Sequence, residues 1–150
     1  MTELKEHPAV IEVCNQIKPL VNCDFVGLAL QNVSGPDVRW HYAAGNLNDK
    51  YKRITVRFGK GVAGKIISSG SPMMLENFPN EIIGKVTDHP IMLAENLISS
   101  YAVPLFLNGV PKGVLLVGKR EAYTFTENEQ QLVDESAHTL EHLLKAHTIL

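Results

Sequence analysis

A glycine turn constrains this chain more than any other segment. Gly59-Lys60-Gly61-Val62-Ala63-Gly64 separates an alternating stretch from an apolar run over residues 62–69. In the alternating stretch Ile54, Val56 and Phe58 fall on one face and Arg53, Thr55 and Arg57 on the other. The alternation predicts a half-buried strand, and the run predicts a short helix stopped by Gly70-Ser71-Pro72. A helix that begins on glycines straight out of a strand leaves its first backbone N–H groups without intrahelical acceptors. Those donors, with the positive end of the helix dipole, suit a small anion. The spacing also fits G-x-G-x-x-G, the dinucleotide fingerprint, but its context does not. A first dinucleotide-binding strand is a continuous apolar run, whereas this one alternates. A helix of about two turns is also too short to cross back to a parallel strand. The sequence therefore argues against a dinucleotide site. Two readings remain: a turn that only reverses the chain, or a site for an anion or small polar ligand at the helix start.

Around this turn the chain alternates between helix and strand signals. Val10, Val13, Cys14, Ile17 and Val21 recur at helical spacing and predict an amphipathic helix over 8–21. Pro8 suits its first turn and Asn22 its end, and Pro19 is expected to kink or fray the last turn. Residues 25–32 read as a strand, Ser34-Gly35-Pro36-Asp37 as a turn, and 38–44 as the returning arm of a hairpin. Strict alternation on that arm places Val38, Trp40 and Tyr42 on one face, with Arg39 and His41 on the other. Residues 45–49 form a loop, and 72–76 a short strand beyond the glycine turn. Residues 77–96 show no clear period and carry Pro79, Gly84 and Pro90. A stretch of this kind inside a compact domain predicts a functional lid. A second hairpin follows over 98–107 and 112–119, turned by Asn108-Gly109. Thr126 and Glu129 make a capping box for a last helix over 126–147, whose buried stripe is Val133, Ala137, Leu140 and Leu144. The order predicts an α+β domain: one antiparallel sheet with helices packed on it.

Composition narrows the function classes. At 150 residues and 45% hydrophobic content the chain can bury one substantial core. A net charge of −2 and a pI near 6.3 supply no field that would draw nucleic acid or an anionic membrane. No apolar run approaches the roughly 18 residues of a membrane span. The start, Met1-Thr2-Glu3-Leu4-Lys5-Glu6, lacks the basic-then-apolar order of a signal peptide, so a cytoplasmic location is expected. Cys14 and Cys23 make no disulfide framework and read as small, inert core residues.

Candidate chemical constellations are weak by comparison. His138-Thr139-Leu140-Glu141-His142 matches an inverted zinc motif, but its ligands sit opposite the leucine stripe, on what should be the solvated face. Ser68-Ser69 and Ser99-Ser100 sit at element ends with no nucleophile elbow. His41, beside Trp40, and His89, in the lid, are lone histidines of the kind that is more often structural. No catalytic set and no metal site is predicted. Trp40, the single tryptophan, is either a core aromatic or the wall of a pocket between sheet and lid.

Four stretches together resemble the GAF domain family of small-molecule sensors. They are Cys23-Asp24-Phe25-Val26-Gly27-Leu28; Arg57-Phe58-Gly59-Lys60-Gly61-Val62-Ala63-Gly64; Ser100-Tyr101-Ala102-Val103-Pro104-Leu105 with Gly113-Val114-Leu115; and Phe125-Thr126-Glu127-Asn128-Glu129. The resemblance runs from about Ala9 to Leu144. It implies a single GAF (PAS-like) domain over 1–150, with a central antiparallel sheet of about six strands flanked by helices. Subgroup hallmarks are missing. The Asn-Lys…Phe…Asp-Glu set of cyclic-nucleotide GAF domains is absent, as are the lid cysteine and Asp-Ile-Pro of bilin-binding ones. Free methionine sulfoxide reductases of this fold use cysteines in the lid region, and residues 77–96 contain none.

What remains is similar to the family's stand-alone nitrate receptors. The resemblance then implies nitrate at the helix start, held by Gly61, Val62 and Ala63, with Trp40 beside it and Pro90, Ile91 and Met92 supplied by the lid. A planar monovalent anion suits two or three backbone donors in an apolar pocket. The implied partner is a sensor histidine kinase of a two-component system that controls nitrate and nitrite respiration and, through it, transcription. No cofactor is implied, and a homodimer stays open. Two alternatives are carried forward: a GAF-type enzyme related to free methionine sulfoxide reductase, and a sensor of another small anion.

Overall fold

The computed structural model describes residues 7–80 and 85–146. Its elements are α1 (Pro8–Val21), β1 (Phe25–Gln31), β2 (Val38–Ala44), β3 (Thr55–Val56), α2 (Gly61–Ser69), β4 (Met73–Leu75), α3 (Pro90–Ala94), β5 (Ser99–Leu107), β6 (Val110–Lys119) and α4 (Glu127–Ala146). The predicted last position of the final helix, residue 147, lies outside the described residues, as do Gly84 and Glu81 of the lid. Pro8 opens α1, and Asn22 closes it in the left-handed conformation. The helix continues two residues past Pro19, its last turn held by the burial of Ile17 and Val21. Thr126 Oγ1 accepts from the Glu129 amide at 3.1 Å while Glu129 Oε1 accepts from the Thr126 amide at 2.8 Å, so the predicted capping box starts α4.

The strands form one six-stranded sheet in the order β3-β2-β1-β6-β5-β4, and each neighbouring pair is antiparallel. Asn108 and Gly109 both take positive φ, which lets a two-residue turn join β5 to β6. Alternation along β1 sends Val26, Leu28 and Leu30 to one face, where they pack with Ile17 of α1 and Val133, Leu140 and Leu144 of α4. Phe25 and Ala29 go to the opposite face, where they join Val62, Ala63, Ile66, Ile91 and Met92. The sheet therefore separates a paired-helix layer from a layer made by α2, α3 and the connecting segments. No helix among the described residues is long and apolar enough to cross a membrane.

Three expectations are corrected. Val38, Trp40 and Tyr42 do not share a face. The register of β1 against β2 shifts between Leu28 and Ala29, which pair with Tyr42 and Trp40, so His41 is an extra residue and Tyr42 turns to the α1 side. There the Tyr42 hydroxyl donates to Asn15 Oδ1 and its ring joins the paired-helix core. The strand before the glycine turn is also shorter than its alternation suggests. Residues 50–53 form a 3-10 turn, β3 has two residues, and Phe58 is 52% exposed rather than in the core. Finally, the lid is partly ordered into helix: a 3-10 turn at Val86–Asp88 runs into α3.

Candidate functional site

The start of α2 is buried and uncapped. Gly61, Val62, Ala63 and Gly64 are all buried, while the residue at the N-cap is Lys60, which makes no side-chain cap. Among the described residues, no acceptor meets the amides of Val62 or Ala63. A buried helix end without such partners is unusual, whereas the start of α4 is closed by its capping box. The glycines are there for steric reasons. A Cβ on Gly64 would overlap the Arg57 carbonyl oxygen, and Gly61 takes a φ of +64°. The Gly59 amide donates to the Gly64 carbonyl at 2.8 Å and the Lys60 amide to the Arg57 carbonyl at 2.9 Å, so the turn is tied to the helix it feeds.

The lid meets the sheet layer at this point. A Cβ on Gly61 would lie 3.2 Å from the Asp88 carbonyl oxygen and 3.8 Å from Pro90 Cδ, so the turn before α3 rests on the first residue of α2. Small residues on this face of the sheet let large ones pack closely over them. Gly27 sits under the indole of Trp40, where an added Cβ would come within 2.8 Å of Cζ3. Ala29 and Ala102 lie in the same cluster. Of the sequence-predicted positions, Trp40, Val62, Ala63, Ile91 and Met92 share one apolar cluster, and Gly61 and Pro90 adjoin each other at its edge. Trp40 is 2% exposed.

Two polar groups that the sequence marks only as a lone lid histidine and an element-end serine border this cluster. His89 is 2% exposed, and both of its ring nitrogens are buried with no hydrogen-bond partner among the described residues. Its ring stands edge-on to Phe78 at 5.7 Å between centroids. Burial, seconded by the Lys65 ammonium and opposed by Asp88, pushes the His89 pKa below its ordinary value, so the ring is neutral near pH 7. The Ser100 hydroxyl is also buried without a partner among the described residues. Its pairing with Leu75, beside the Ala102–Met73 pair, puts it on the lid side of the sheet. The lid's far end is anchored by Glu95, which is fully buried. Glu95 Oε1 takes an ion pair from Arg120 Nη2 at 3.0 Å and a hydrogen bond from the Leu47 amide at 2.9 Å. Arg120 Nε donates to the Glu95 carbonyl at 2.9 Å, and Nη2 also reaches the Gly45 carbonyl at 3.0 Å. A sequence shows Glu95 and Arg120 only as two charges twenty-five positions apart.

The other constellations fall away from this site. Cys14 and Cys23 lie in the paired-helix core, across the sheet from the lid. Burial pushes the Cys14 thiol up to about 12 and the Cys23 thiol up to about 11, so neither supplies thiolate near neutrality. His138 and His142 are exposed on α4, and the Glu141 carboxylate accepts from the Phe106 amide at 2.6 Å. No cluster of three metal-ligating side chains occurs among the described residues.

Six antiparallel strands, two long helices behind them and a short-helix lid over an uncapped helix start define a GAF domain. The chain belongs to that family: the GAF domain profile matches residues 10–145. It is similar to an NreA protein from Staphylococcus aureus, mutated in its nitrate-binding site, at 31% identity and a TM-score of 0.75. That likeness covers 83% of this chain and 92% of the NreA chain. A hypothetical protein from the same organism is 32% identical at a TM-score of 0.72, over 78% of this chain and 97% of its own. A free methionine-R-sulfoxide reductase from Neisseria meningitidis, in complex with its substrate, has a TM-score of 0.75 over 93% of this chain and 79% of its own. At 21% identity that likeness is one of fold alone. No curated protein matches the chain by sequence.

Proposed function

We propose that this chain is a cytoplasmic, non-enzymatic nitrate receptor that acts on a sensor histidine kinase controlling nitrate and nitrite respiration. The observation that carries the reading is the buried, uncapped start of α2 pressed against the Asp88–Pro90 turn of the lid. There the Val62 and Ala63 amides and the helix dipole favour a compact anion, and the surrounding Trp40, Ile91 and Met92 favour one with a weakly held hydration shell. The similarity to an NreA protein with a nitrate-binding site supports nitrate within that class. No guanidinium clamp is needed for a single negative charge held by two or three backbone donors.

Thermal unfolding tests the ligand. A ligand that binds only the native state adds about 2.7 kcal/mol at a hundred times its dissociation constant. For a domain of this length that raises the midpoint by roughly 2–4 °C per kcal/mol. Millimolar nitrate that shifts the midpoint no more than equal chloride would sink the nitrate reading. The mechanism is tested by titration calorimetry of two variants. Ala63→Leu places bulk where the anion would sit and should abolish binding, whereas Lys60→Ala should leave it nearly unchanged because backbone groups do the holding. The reverse result would make the site a side-chain charge clamp.

A methionine sulfoxide reductase is the second reading, favoured only by the shared fold. It lacks a nucleophile here, because both cysteines are buried in the opposite layer with raised pKa values. Turnover of free methionine sulfoxide with a thiol reductant would restore it.

A further inference from the structure

Buried imidazoles almost always find hydrogen-bond partners, because an unsatisfied polar atom in a dry interior costs about 1–3 kcal/mol. His89 has two such atoms, and it sits between the two lid residues that rest on the start of α2. Its flanking residues Asp88 and Pro90 are the ones that touch Gly61, and its carbonyl accepts the Leu93 amide at 3.3 Å, which holds the residue at the head of α3. A neutral imidazole offers one donor and one acceptor, so only one of its two nitrogens can donate to an anion. The imidazolium offers two donors and a full positive charge. A monovalent anion taken into this apolar cluster meets the partial positive charge of the α2 dipole. A proton on His89 would complete its neutralisation.

We infer that His89 is the proton-coupled anion donor of this site: the anion and one solvent proton bind together, and His89 holds the proton. The inference rests on the α2 site being the anion site. The balance is simple. One proton passes from water to the imidazole, one negative charge enters, and the net charge of the domain does not change. Among the described residues, the charged groups that act on the ring are Lys65 from α2 and Asp88 from its own turn. Without anion, burial and then Lys65 hold the pKa down, and Asp88 opposes them. The anion adds a second negative partner and raises the pKa. The sign follows by linkage. Affinity is constant above the anion-bound pKa and rises as pH falls below it. It levels off only beneath the lowered anion-free pKa. Between the two the slope is at most about tenfold per pH unit.

The test is calorimetric titration with nitrate, and separately with chloride, at about pH 7.5 and about pH 5.5, in paired buffers of different ionisation enthalpy. The wild-type protein should bind nitrate more tightly at the lower pH, with proton uptake approaching one per anion at intermediate pH. His89→Gln keeps a neutral donor and should bind with no pH dependence, and His89→Phe keeps the packing against Phe78 and should bind weakly at both values. The His89 ring nitrogen shifts, followed by NMR in the wild type through a nitrate titration near pH 6.5, should move toward those of imidazolium and need no variant. Nitrate binding of equal strength at both pH values, or an undiminished slope in His89→Gln, would overturn the inference while leaving the nitrate reading intact. Chloride binding with the His89-dependent slope while nitrate fails would overturn the nitrate reading and support the inference. Failure of both anions at the lower pH would overturn both.

Discussion

Single residues decide whether the glycine turn can close. Gly64 is the tightest of them, because the atom a side chain would overlap is the Arg57 carbonyl oxygen, a backbone atom already engaged with the Lys60 amide. A flexible neighbour could step aside, but this one moves only if the turn opens. Gly64→Ala should therefore cost about 1–3 kcal/mol, the range for forcing a methyl into filled space. Gly35 makes the control, since a Cβ there meets nothing within 4 Å and the residue has no positive φ. Urea midpoints of Gly64→Ala and Gly35→Ala, compared at constant slope, give the measurement. Equal midpoints would mean that the turn tolerates a side chain and is not the rigid platform the proposed anion site requires. His89 shows the reverse side of residue-scale reading. Its type and its place before Pro90 are plain in the sequence, but a lone histidine carries no mark of whether it is buried or paired.

At the scale of elements, the lid is held from one end by an ion pair and from the other by its contact with α2. Glu95 is fully buried while the Arg120 side chain is 26% exposed, so removal of the arginine strands a carboxylate in the interior. Arg120→Ala should cost about 3 kcal/mol, the low end for breaking a buried pair, and Glu95→Gln added to it should recover part of that loss. A double-mutant cycle by chemical denaturation checks this, and additive effects of the two changes would show that the pair does not anchor the lid. Much of this architecture could be read from the chain. Helical spacing located α1 and α4, the Thr126–Glu129 box located the start of α4, and Asn108-Gly109 located the second hairpin, because each signal is local. What stayed hidden was non-local. The extra residue at His41, which turns Tyr42 to the other face, comes from the register of β2 against β1. The helical part of the lid is five residues of α3, too short to show a period. The convergence of Trp40, Val62, Ala63, Ile91 and Met92 became legible only through resemblance to a family, since nothing in residues 77–96 fixes which side chains reach the sheet.

At the scale of the whole molecule, the sheet stands between the lid layer and the α1–α4 layer, and its central strands contribute side chains to both cores. Leu115 and Val117 of β6 face the helices while Val114 and Leu116 face the lid, so the two cores are joined through shared strands. A receptor that answers to a kinase needs two arrangements that nitrate and kinase favour differently, and the lid is the segment placed to supply them. Ordering it around an anion changes the surface that a partner meets without unpacking the sheet. We expect the anion-free chain to restrain the kinase and nitrate to weaken that association. Linkage makes the expectation quantitative: if nitrate weakens kinase binding by some factor, the kinase must weaken nitrate binding by the same factor. Couplings of this type typically span about 1–3 kcal/mol, or roughly 5- to 150-fold. Nitrate affinity should therefore fall by a factor in that range when saturating kinase is present, and Ala63→Leu should hold the kinase whether or not nitrate is added. Identical nitrate affinities with and without kinase, in a mixture where the two proteins demonstrably associate, would mean that the anion does not act through this complex.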